Sequence, residues 1–157
     1  MRTISKRTKY ALRALYALTR QYGGEPVLIS TLARDERIPL KFLEAILLEL
    51  KTHGIVESRK GRRGGYRLRR PPGEVTIGSV VRTLEGPLAP LPCASETAFV
   101  PCEECGDVAL CGTRMVMREV RDAIAAILDG TTLEDVVARI QAAQDANQDQ
   151  SSPMYYI

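Results

Sequence analysis

The fold of this chain is decided by residues 55 to 70, which read Ile55-Val56-Glu57-Ser58-Arg59-Lys60-Gly61-Arg62-Arg63-Gly64-Gly65-Tyr66-Arg67-Leu68-Arg69-Arg70. The segment places seven Arg or Lys residues around three glycines and one aromatic residue, between two short runs of alternating apolar residues. Glycine tolerates a positive φ and a close backbone approach, as the tip of a hairpin requires. The pattern predicts a basic β-hairpin that contacts a polyanion. A solvated charged loop is the alternative for a basic run taken alone.

Two helical patterns precede this hairpin. Ser30 is the predicted N-cap of a short helix that ends at Ile38-Pro39, since proline disfavours a helical residue before it. A second helix is predicted to open at Pro39 or Leu40 and to end before Gly54, which suits a left-handed C-cap. Apolar residues at three- and four-residue spacing predict its buried stripe: Phe42, Leu43, Ile46, Leu47 and Leu50. Helix, turn, helix and basic hairpin is the order of a winged helix-turn-helix.

Such a module places the start of its second helix in the major groove of double-stranded DNA and its wing along the backbone or minor groove. An operator in double-stranded DNA is therefore the expected partner. The predicted contacts are Leu40, Lys41, Glu44 and Ala45 on the helix, and Arg59, Lys60, Arg62, Arg63 and Tyr66 on the wing. Glu44 can accept a hydrogen bond from the cytosine amino group, with a plain surface glutamate as the alternative.

Charge is divided unevenly along the chain. Residues 1–91 hold 18 Lys or Arg against 8 Asp or Glu, a net charge of +10, whereas residues 92–157 hold 4 against 11, a net charge of −7. A basic half followed by an acidic half indicates a nucleic-acid-binding region and a separate region that avoids the polyanion. The sequence shows no long apolar run, signal peptide or lipidation motif, so we expect a soluble, cytoplasmic protein that does not bind membranes.

Further helices are predicted on both sides of the module. The first covers residues 6 to 18 and has one apolar face, formed by Ala11, Ala14, Leu15 and Leu18. After the breaker Pro71-Pro72-Gly73, Thr76 is the predicted cap of a short helix over 77–85 that ends at Gly86-Pro87. The predicted fold class is mostly α with a small β wing.

The longest helical pattern covers residues 113 to 129. Its apolar residues step by three and four and form a heptad-like seam: Met117, Val120, Ile124 and Ile127. This seam favours pairing with a second copy, since two-fold proteins read inverted half-sites, although packing within one subunit is the alternative. A capping box over Thr131-Thr132-Leu133-Glu134 starts a final helix to about Ile140. The predicted regions are a winged helix-turn-helix over 1–86, a cysteine-bearing loop over 87–112, a dimerisation helix with a short final helix over 113–140, and a flexible tail over 141–157.

All four cysteines fall in one irregular stretch, with the spacing Cys93-x8-Cys102-x2-Cys105-x5-Cys111. Clustering in a segment rich in proline is not a core-packing pattern, and a Cys-x-x-Cys turn lets two thiolates converge on one metal. Thiolates without a nearby histidine suit an iron-sulfur cluster, 2Fe-2S or 4Fe-4S, as well as zinc. A metal-free thiol switch is the third interpretation. The one histidine, His53, is expected to interact with a helix dipole and not with a metal.

Several motifs occur together along residues 1 to 140: Met1-Arg2-Thr3-Ile4-Ser5-Lys6 with Tyr10-Ala11-Leu12, Leu40-Lys41-Phe42-Leu43-Glu44, Leu50-Lys51-Thr52-His53-Gly54-Ile55-Val56, Gly61-Arg62-Arg63-Gly64-Gly65-Tyr66-Arg67-Leu68, Val75-Thr76-Ile77-Gly78, Cys111, and Thr131-Thr132-Leu133-Glu134-Asp135-Val136. In combination they resemble the Rrf-two (Rrf2) family of winged-helix repressors. The resemblance implies a homodimer that binds an operator. In the cysteine-bearing members it also implies an iron-sulfur cluster that senses cluster supply, nitric oxide or redox state.

The cysteine region departs from the pattern of the better-known cluster-bearing members of that family, which usually have three cysteines at near-even spacing and a fourth, non-cysteine ligand. Lys9 stands where some members offer an acid, and Arg114 stands where others have a histidine. A charged lysine has no lone pair to donate. Taken with the resemblance, these departures imply a site formed by four cysteines of one chain: Cys93, Cys102, Cys105 and Cys111. The alternative is that Glu103, Glu104 or Asp107 replaces Cys93 as the fourth ligand.

The expected mechanism is linkage between the state of the cysteine loop and the spacing of two recognition helices. Nothing in the sequence resembles a nucleotide-binding loop or a hydrolytic triad, so an enzyme is not expected. The alternative within the same class is a regulator stabilised by zinc or controlled by a thiol switch. The alternative from another class is a redox enzyme or metal carrier in which Cys102 and Cys105 do the chemistry.

Overall fold

The protein is mostly helical with one small sheet, as the sequence predicts. The computed structural model describes residues 4–151, with side chains over 4–147. This part of the chain forms α1 (Lys6–Arg20), α2 (Ile29–Asp35), α3 (Leu40–Thr52), β1 (Val56–Arg59), β2 (Gly65–Leu68), α4 (Ile77–Glu85), α5 (Gly112–Asp129) and α6 (Leu133–Ser151). Two short 3-10 turns cover Pro72–Glu74 and Pro92–Ala94. No helix among the described residues is long and apolar enough to cross a membrane.

One aliphatic core joins the winged-helix elements. The predicted face of α1 is buried, and so are Leu43, Ile46, Leu47 and Leu50 of α3. Burying each leucine or isoleucine side chain contributes about 1.5–3 kcal/mol, so these two stripes orient α1 and α3 against each other. Phe42, predicted in the stripe, is instead 59% exposed. The buried residues alone have the i, i+3, i+4, i+7 spacing, and Phe42 lies outward beside Ala45.

The turn between α2 and α3 differs from its prediction. α2 begins at Ile29, and the Leu28 carbonyl already accepts from the Leu32 N–H, so Ser30 lies inside the helix and is not its N-cap. The helix ends at Asp35, before the predicted Ile38-Pro39.

The ends of α2 and α3 share one hydrogen-bond pattern. At α2 the Ile38 N–H donates to Ala33 O at 2.8 Å and the Arg37 N–H to Arg34 O at 3.2 Å. At α3 the Ile55 N–H donates to Leu50 O at 2.9 Å and the Gly54 N–H to Lys51 O at 3.0 Å. This is the Schellman motif, which puts its C′ residue in the left-handed region. Gly54 has φ +69° there, and Arg37 has φ +51°.

The wing is an antiparallel pair in the register Val56↔Leu68 to Arg59↔Gly65. A third segment, which the sequence analysis missed, extends it: the Val27 N–H donates to Tyr66 O at 2.9 Å, and the Tyr66 N–H donates to Val27 O at 2.8 Å. Gly65 makes this approach possible, because a Cβ there would lie 2.3 Å from Val27 O. The wing is therefore anchored to the segment before α2.

α4 agrees with its prediction: the Thr76 hydroxyl accepts from the Ser79 N–H at 3.1 Å, and the helix ends at Gly86. The connection from α5 to α6 packs against the start of α4, where the Ile77 N–H donates to Thr131 O at 2.8 Å. Leu133 is fully buried in the same core. The C-terminal helices therefore dock directly on the winged-helix elements.

The start and length of α6 correct the sequence analysis. The capping box is formed by Thr132 and Asp135, not by Thr131 and Glu134: the Thr132 N–H donates to Asp135 Oδ2 at 2.8 Å, and the Asp135 N–H donates to Thr132 Oγ1 at 3.1 Å. The Thr131 hydroxyl instead donates to Ile127 O at the end of α5. α6 continues past Ile140 to Ser151, so the predicted tail is helical that far, and its last residues, 152–157, lie outside the described part of the chain.

Candidate nucleic-acid interface and cysteine site

The predicted contact residues of α3 are exposed on the side of the helix that faces away from the core. Lys41, Glu44 and Ala45 are exposed, and Leu40 is 44% exposed at the first turn. Phe42 joins this surface, and the sequence analysis missed it because its spacing also fits the core stripe. The outer face of α3 thus combines a cation, a carboxylate and apolar groups, which can donate to, accept from and pack against base edges in a major groove.

The wing presents a second set of predicted contacts. Arg59, Lys60, Arg62 and Arg63 are all exposed at or beside its tip. Tyr66 differs, because it is half-buried and packs against the core while its backbone bonds Val27. The basic tip therefore projects from a base that Tyr66 helps to fix.

Contacts behind α3 set its orientation relative to the wing. Lys51 Nζ donates to Ser58 Oγ at 2.6 Å and so joins α3 to β1. Arg7 of α1 forms an ion pair with Glu49 on α3. His53 lies at the C-cap, where its Nδ1 is 2.9 Å from Glu49 O. This position agrees with the predicted interaction of His53 with the helix end.

Three of the four cysteines come together at the start of α5. Cys111 is the N-cap residue of that helix, and Cys105 Sγ donates to Cys111 Sγ at 3.6 Å. Hydrogen bonds with Cys111 and Cys102 raise the pKa of Cys105 to about 12. The pKa of Cys111 is lowered, first by the Arg114 backbone N–H and then by its bond from Cys105. Of this pair, Cys111 is therefore the thiol that loses its proton more readily.

Cys93 lies apart from these three thiols, in the buried turn Pro92–Ala94. Two arginines of α5 hold that turn: Arg114 Nε donates to Cys93 O at 2.8 Å, and Arg121 Nη1 donates to Ala94 O at 2.6 Å. Arg121 is only 8% exposed and also pairs with Glu96 at 3.1 Å. The clamping role of Arg114 and Arg121 is not predictable from the sequence, since nothing in a helical arginine distinguishes such a contact from a surface charge.

The cysteine sulfurs are suitable ligands for a metal ion or an iron-sulfur cluster, although they do not surround a binding position in this structure. Among the described residues, no three His, Cys, Asp or Glu side chains are already arranged to hold a metal ion. The predicted substitutes Glu103, Glu104 and Asp107 are exposed, and Asp107 Oδ1 accepts from the Ala109 N–H. Thiols close together at a helix N-terminus, here Cys105 hydrogen-bonded to both Cys111 and Cys102, are nonetheless the kind of ligand that iron-sulfur clusters and zinc take.

A winged helix-turn-helix with an exposed, basic recognition surface defines the class: a DNA-binding transcriptional regulator and not an enzyme. The family model of Rrf2, described as an iron-dependent transcriptional regulator, matches residues 4–139. The chain belongs to the Rrf2 family. Its regulators are not enzymes, so the predicted alternative of a redox enzyme or metal carrier is wrong.

Named relatives cover most of the chain. A helix-turn-helix regulator described as rrf2-like from Rhodobacter capsulatus is 42% identical over 138 residues, 86% of this chain and 92% of that protein. The regulator NsrR of Geobacillus kaustophilus is 34% identical over 130 residues, 83% of this chain and 86% of that protein.

Solved structures show the same fold. CymR, the global cysteine regulator of B. subtilis, superposes with a TM-score of 0.73 at 31% identity and covers 88% of this chain and 98% of that one. IscR of T. potens superposes with a TM-score of 0.69 at 26% identity and covers 99% of this chain and 97% of that one. The similarity therefore extends through the cysteine loop and both C-terminal helices.

Proposed function

We propose that this regulator is a homodimer that binds an operator, most simply as a repressor, and that an iron-sulfur cluster on the cysteine loop controls its affinity. The observation that carries the proposal is the 3.6 Å contact of the Cys105 and Cys111 thiols at the N-cap of α5, with Cys102 hydrogen-bonded to Cys105. In this proposal the protein works in the cytoplasm, where its DNA lies.

DNA recognition is assigned to the two exposed surfaces of the winged helix. Lys41, Glu44 and Ala45 of α3 would face base edges, with Leu40 at the rim of the groove. The wing cations Arg59, Lys60, Arg62 and Arg63 would contact phosphates or a narrow minor groove, so binding should weaken steeply with salt. Tyr66 supports the wing from its half-buried position and would act through it.

The cysteine site is connected to the winged helix through α5. Cys111 caps the first turn of α5, and Asp129 ends its last turn. The Asp129 carboxylate accepts two hydrogen bonds from Arg82 of α4, at 2.5 and 2.8 Å. α4 in turn packs against α1 and α3. A change at the thiols can therefore alter the position of α5 and, through the ion pair, that of the recognition helix.

Cys102, Cys105 and Cys111 would hold the cluster, whether 2Fe-2S or 4Fe-4S, and Cys93 is the proposed fourth ligand. When bound, such a cluster supplies a centre that oxidants or nitric oxide can alter. Arg114 ties the backbone of the Cys93 turn to the first turn of α5, and the buried Cys93 thiol would have to turn toward the other three to bind the same cluster. Support comes also from the family, described as iron-dependent, and from the similarity to NsrR and IscR.

A thiol switch is the second proposal, because Cys105 and Cys111 are already 3.6 Å apart. Their two thiols would lose two protons and two electrons to an oxidant such as a peroxide and form one disulfide. The similarity to CymR, a cysteine regulator, supports this alternative. Zinc on the same thiols is the third alternative and would leave DNA binding indifferent to mild oxidants.

Metal content decides among these proposals. Protein purified without oxygen should contain iron and sulfide in fixed ratio and absorb visible light, and Cys102→Ala should lose both signals. Cys93→Ser tests the fourth ligand separately. Zinc in place of iron, or no metal with a disulfide that forms on peroxide treatment, would replace the cluster proposal by the corresponding alternative.

A further inference from the structure

Arg37 occupies an unfavourable backbone position. Its φ of +51° makes it the one residue other than glycine in the described part of the chain with a positive φ. A side chain in this region clashes with the neighbouring carbonyl, and glycine avoids that clash. The chain itself shows the usual solution, because the same Schellman motif ends α3 with Gly54. The stability of the turn therefore does not explain why α2 has an arginine where α3 has a glycine.

Within the part of the chain that the structure describes, the Arg37 side chain has no partner. It is exposed, and among the described side chains it makes no hydrogen bond or ion pair. The acids beside it are already occupied: Glu36 lies 3.4 Å from Arg20, and Asp35 lies 2.8 Å from Arg34. Neither the fold nor a local ion pair accounts for the cation at this position.

The place of Arg37 is beside the proposed DNA surface. The turn it belongs to leads directly into α3, whose first residue is Leu40 and whose next residue is the exposed Lys41. In helix-turn-helix proteins the start of the second helix enters the major groove, so groups just before it lie near the flanking phosphates. An arginine there reaches a phosphate with a bidentate, charge-assisted hydrogen bond.

We infer that Arg37 is a phosphate-contacting residue, held in a left-handed turn so that its guanidinium reaches the DNA backbone beside the recognition helix. The inference rests on the proposed DNA binding. It adds a contact site on the helix-turn-helix turn to those on α3 and the wing. The ligand is the phosphate backbone, so the contact acts on every sequence alike and sets affinity and register without reading bases.

Salt dependence of DNA binding tests the inference. Affinity of the full chain for a mixed-sequence 40-bp duplex would be measured by fluorescence anisotropy over a range of about 20 to 200 mM salt. Arg37→Asn removes the charge with a residue that tolerates the left-handed region. It should lower the slope of log affinity against log salt by about one for each bound protomer, whereas Arg37→Lys should keep most of the slope.

Two controls make the result specific. Arg139→Asn removes the same charge from α6, in the acidic half of the chain, and should leave the slope unchanged. Arg37→Gly should lower the slope as Arg37→Asn does while raising Tm by about 2–4 °C, because it relieves the turn. Equal slopes for Arg37→Asn and Arg139→Asn would overturn the phosphate contact alone. If the unmodified protein shows no salt-dependent binding to the duplex, the proposed DNA binding is overturned, and the phosphate contact of Arg37 is overturned as well.

Discussion

Single residues decide whether the wing can form. Gly65 is the clearest case, since its φ is +152° and a Cβ would lie 2.3 Å from Val27 O and 2.9 Å from the Leu28 nitrogen. Any side chain must push the wing away from the segment before α2 and break the two Val27–Tyr66 hydrogen bonds. The base of the wing would then lose its anchor to the core.

We expect Gly65→Ala to lower the free energy of unfolding by about 2–4 kcal/mol, as a forced backbone shift with lost hydrogen bonds does. Urea denaturation followed by circular dichroism measures this. Gly106→Ala is the matched control, because a Cβ at Gly106 meets nothing within 4 Å. Equal stabilities for the two variants would show that the Val27 bridge does not hold the wing.

For single residues, the sequence predicts the chemical character of the DNA-binding surface better than it predicts which side chains are exposed or buried. Exposed Lys41, Glu44 and Ala45 follow from the period of α3, because three- and four-residue spacing leaves them off the buried stripe. Phe42 could not be placed, since an aromatic residue beside that stripe fits the core as well as the groove. The basic residues around Tyr66 predict a DNA contact, which stays a prediction, whereas its half-buried position depends on Val27, which is distant in sequence.

Among the elements, α4 and α5 form the joint that connects the cysteine site to the winged helix. Arg82 donates one hydrogen bond to each carboxylate oxygen of Asp129. Gly78 leaves room for this ion pair, because a Cβ at Gly78 would lie 1.9 Å from Asp129 Oδ1. The hydrogen bond from Arg82 lowers the pKa of the Asp129 carboxyl from 3.8. The ionised form of Asp129 is therefore the form that stabilises the joint.

We expect Asp129→Asn to lower the free energy of unfolding by about 0.2–1 kcal/mol at neutral pH, the range for exposed ion pairs. A carboxyl whose pKa is lowered by folding stabilises the protein fully above its unfolded value and loses that contribution as pH falls through the folded value. The difference between the two proteins should therefore shrink as pH drops below 3.8. Thermal unfolding at several pH values measures it, with Asp145→Asn on α6 as control. A difference that stays constant with pH would contradict the assignment.

Helices whose ends are set by neighbouring residues are predictable from the sequence. Segments that are held by contacts between residues far apart in the sequence are not. Thr76 and Gly86 bound α4 as predicted, since capping depends on neighbours along the chain. The Val27 bridge joins residues far apart in sequence, so no local pattern shows it. α6 runs to Ser151 although its composition is polar, because helix formers such as alanine and glutamine permit a helix that leaves the core.

At the scale of the whole molecule, α5 has two different faces. One holds Arg114 and Arg121, which clamp the turn at Cys93. The other face carries the end of the predicted seam: Ile127 is 68% exposed, and Val116, three turns earlier on the same face, is 54% exposed, whereas the seam residues Met117, Val120 and Ile124 are half-buried. Exposed apolar side chains along a long helix are typical of an interface. We propose that this face pairs two copies.

The unmodified protein should therefore have twice the 17.3 kDa mass of one chain in light scattering. Ile127→Lys should shift it toward the monomer and weaken operator binding at least tenfold, since two linked half-sites bind more tightly than one. Ala138→Lys, on the exposed side of α6, adds the same charge away from the seam. A dimer that survives Ile127→Lys would move the interface elsewhere.

The cysteine site marks the limit of what the sequence could predict. Cys105 lies 3.6 Å from Cys111 at the N-cap of α5 and is also hydrogen-bonded to Cys102, whereas their binding of a metal or cluster stays a prediction. Cys93 does not join them in the structure, because two arginines on α5 fix its turn by backbone contacts. Only the three-dimensional structure reveals that clamp, so the fourth ligand stays a prediction.

We propose that the state of the cysteine site controls the affinity for DNA. The most direct measurement is the Kd of anaerobically purified protein for a duplex that it selects from a random library, before and after nitric oxide treatment, with iron and sulfide measured on the same samples. We predict that Kd changes at least tenfold, about 1.4 kcal/mol, in step with the loss of cluster, and that Cys111→Ala shows the cluster-free value in both samples. An unchanged Kd in protein that has lost its iron and sulfide would show that the cysteine site does not control DNA binding.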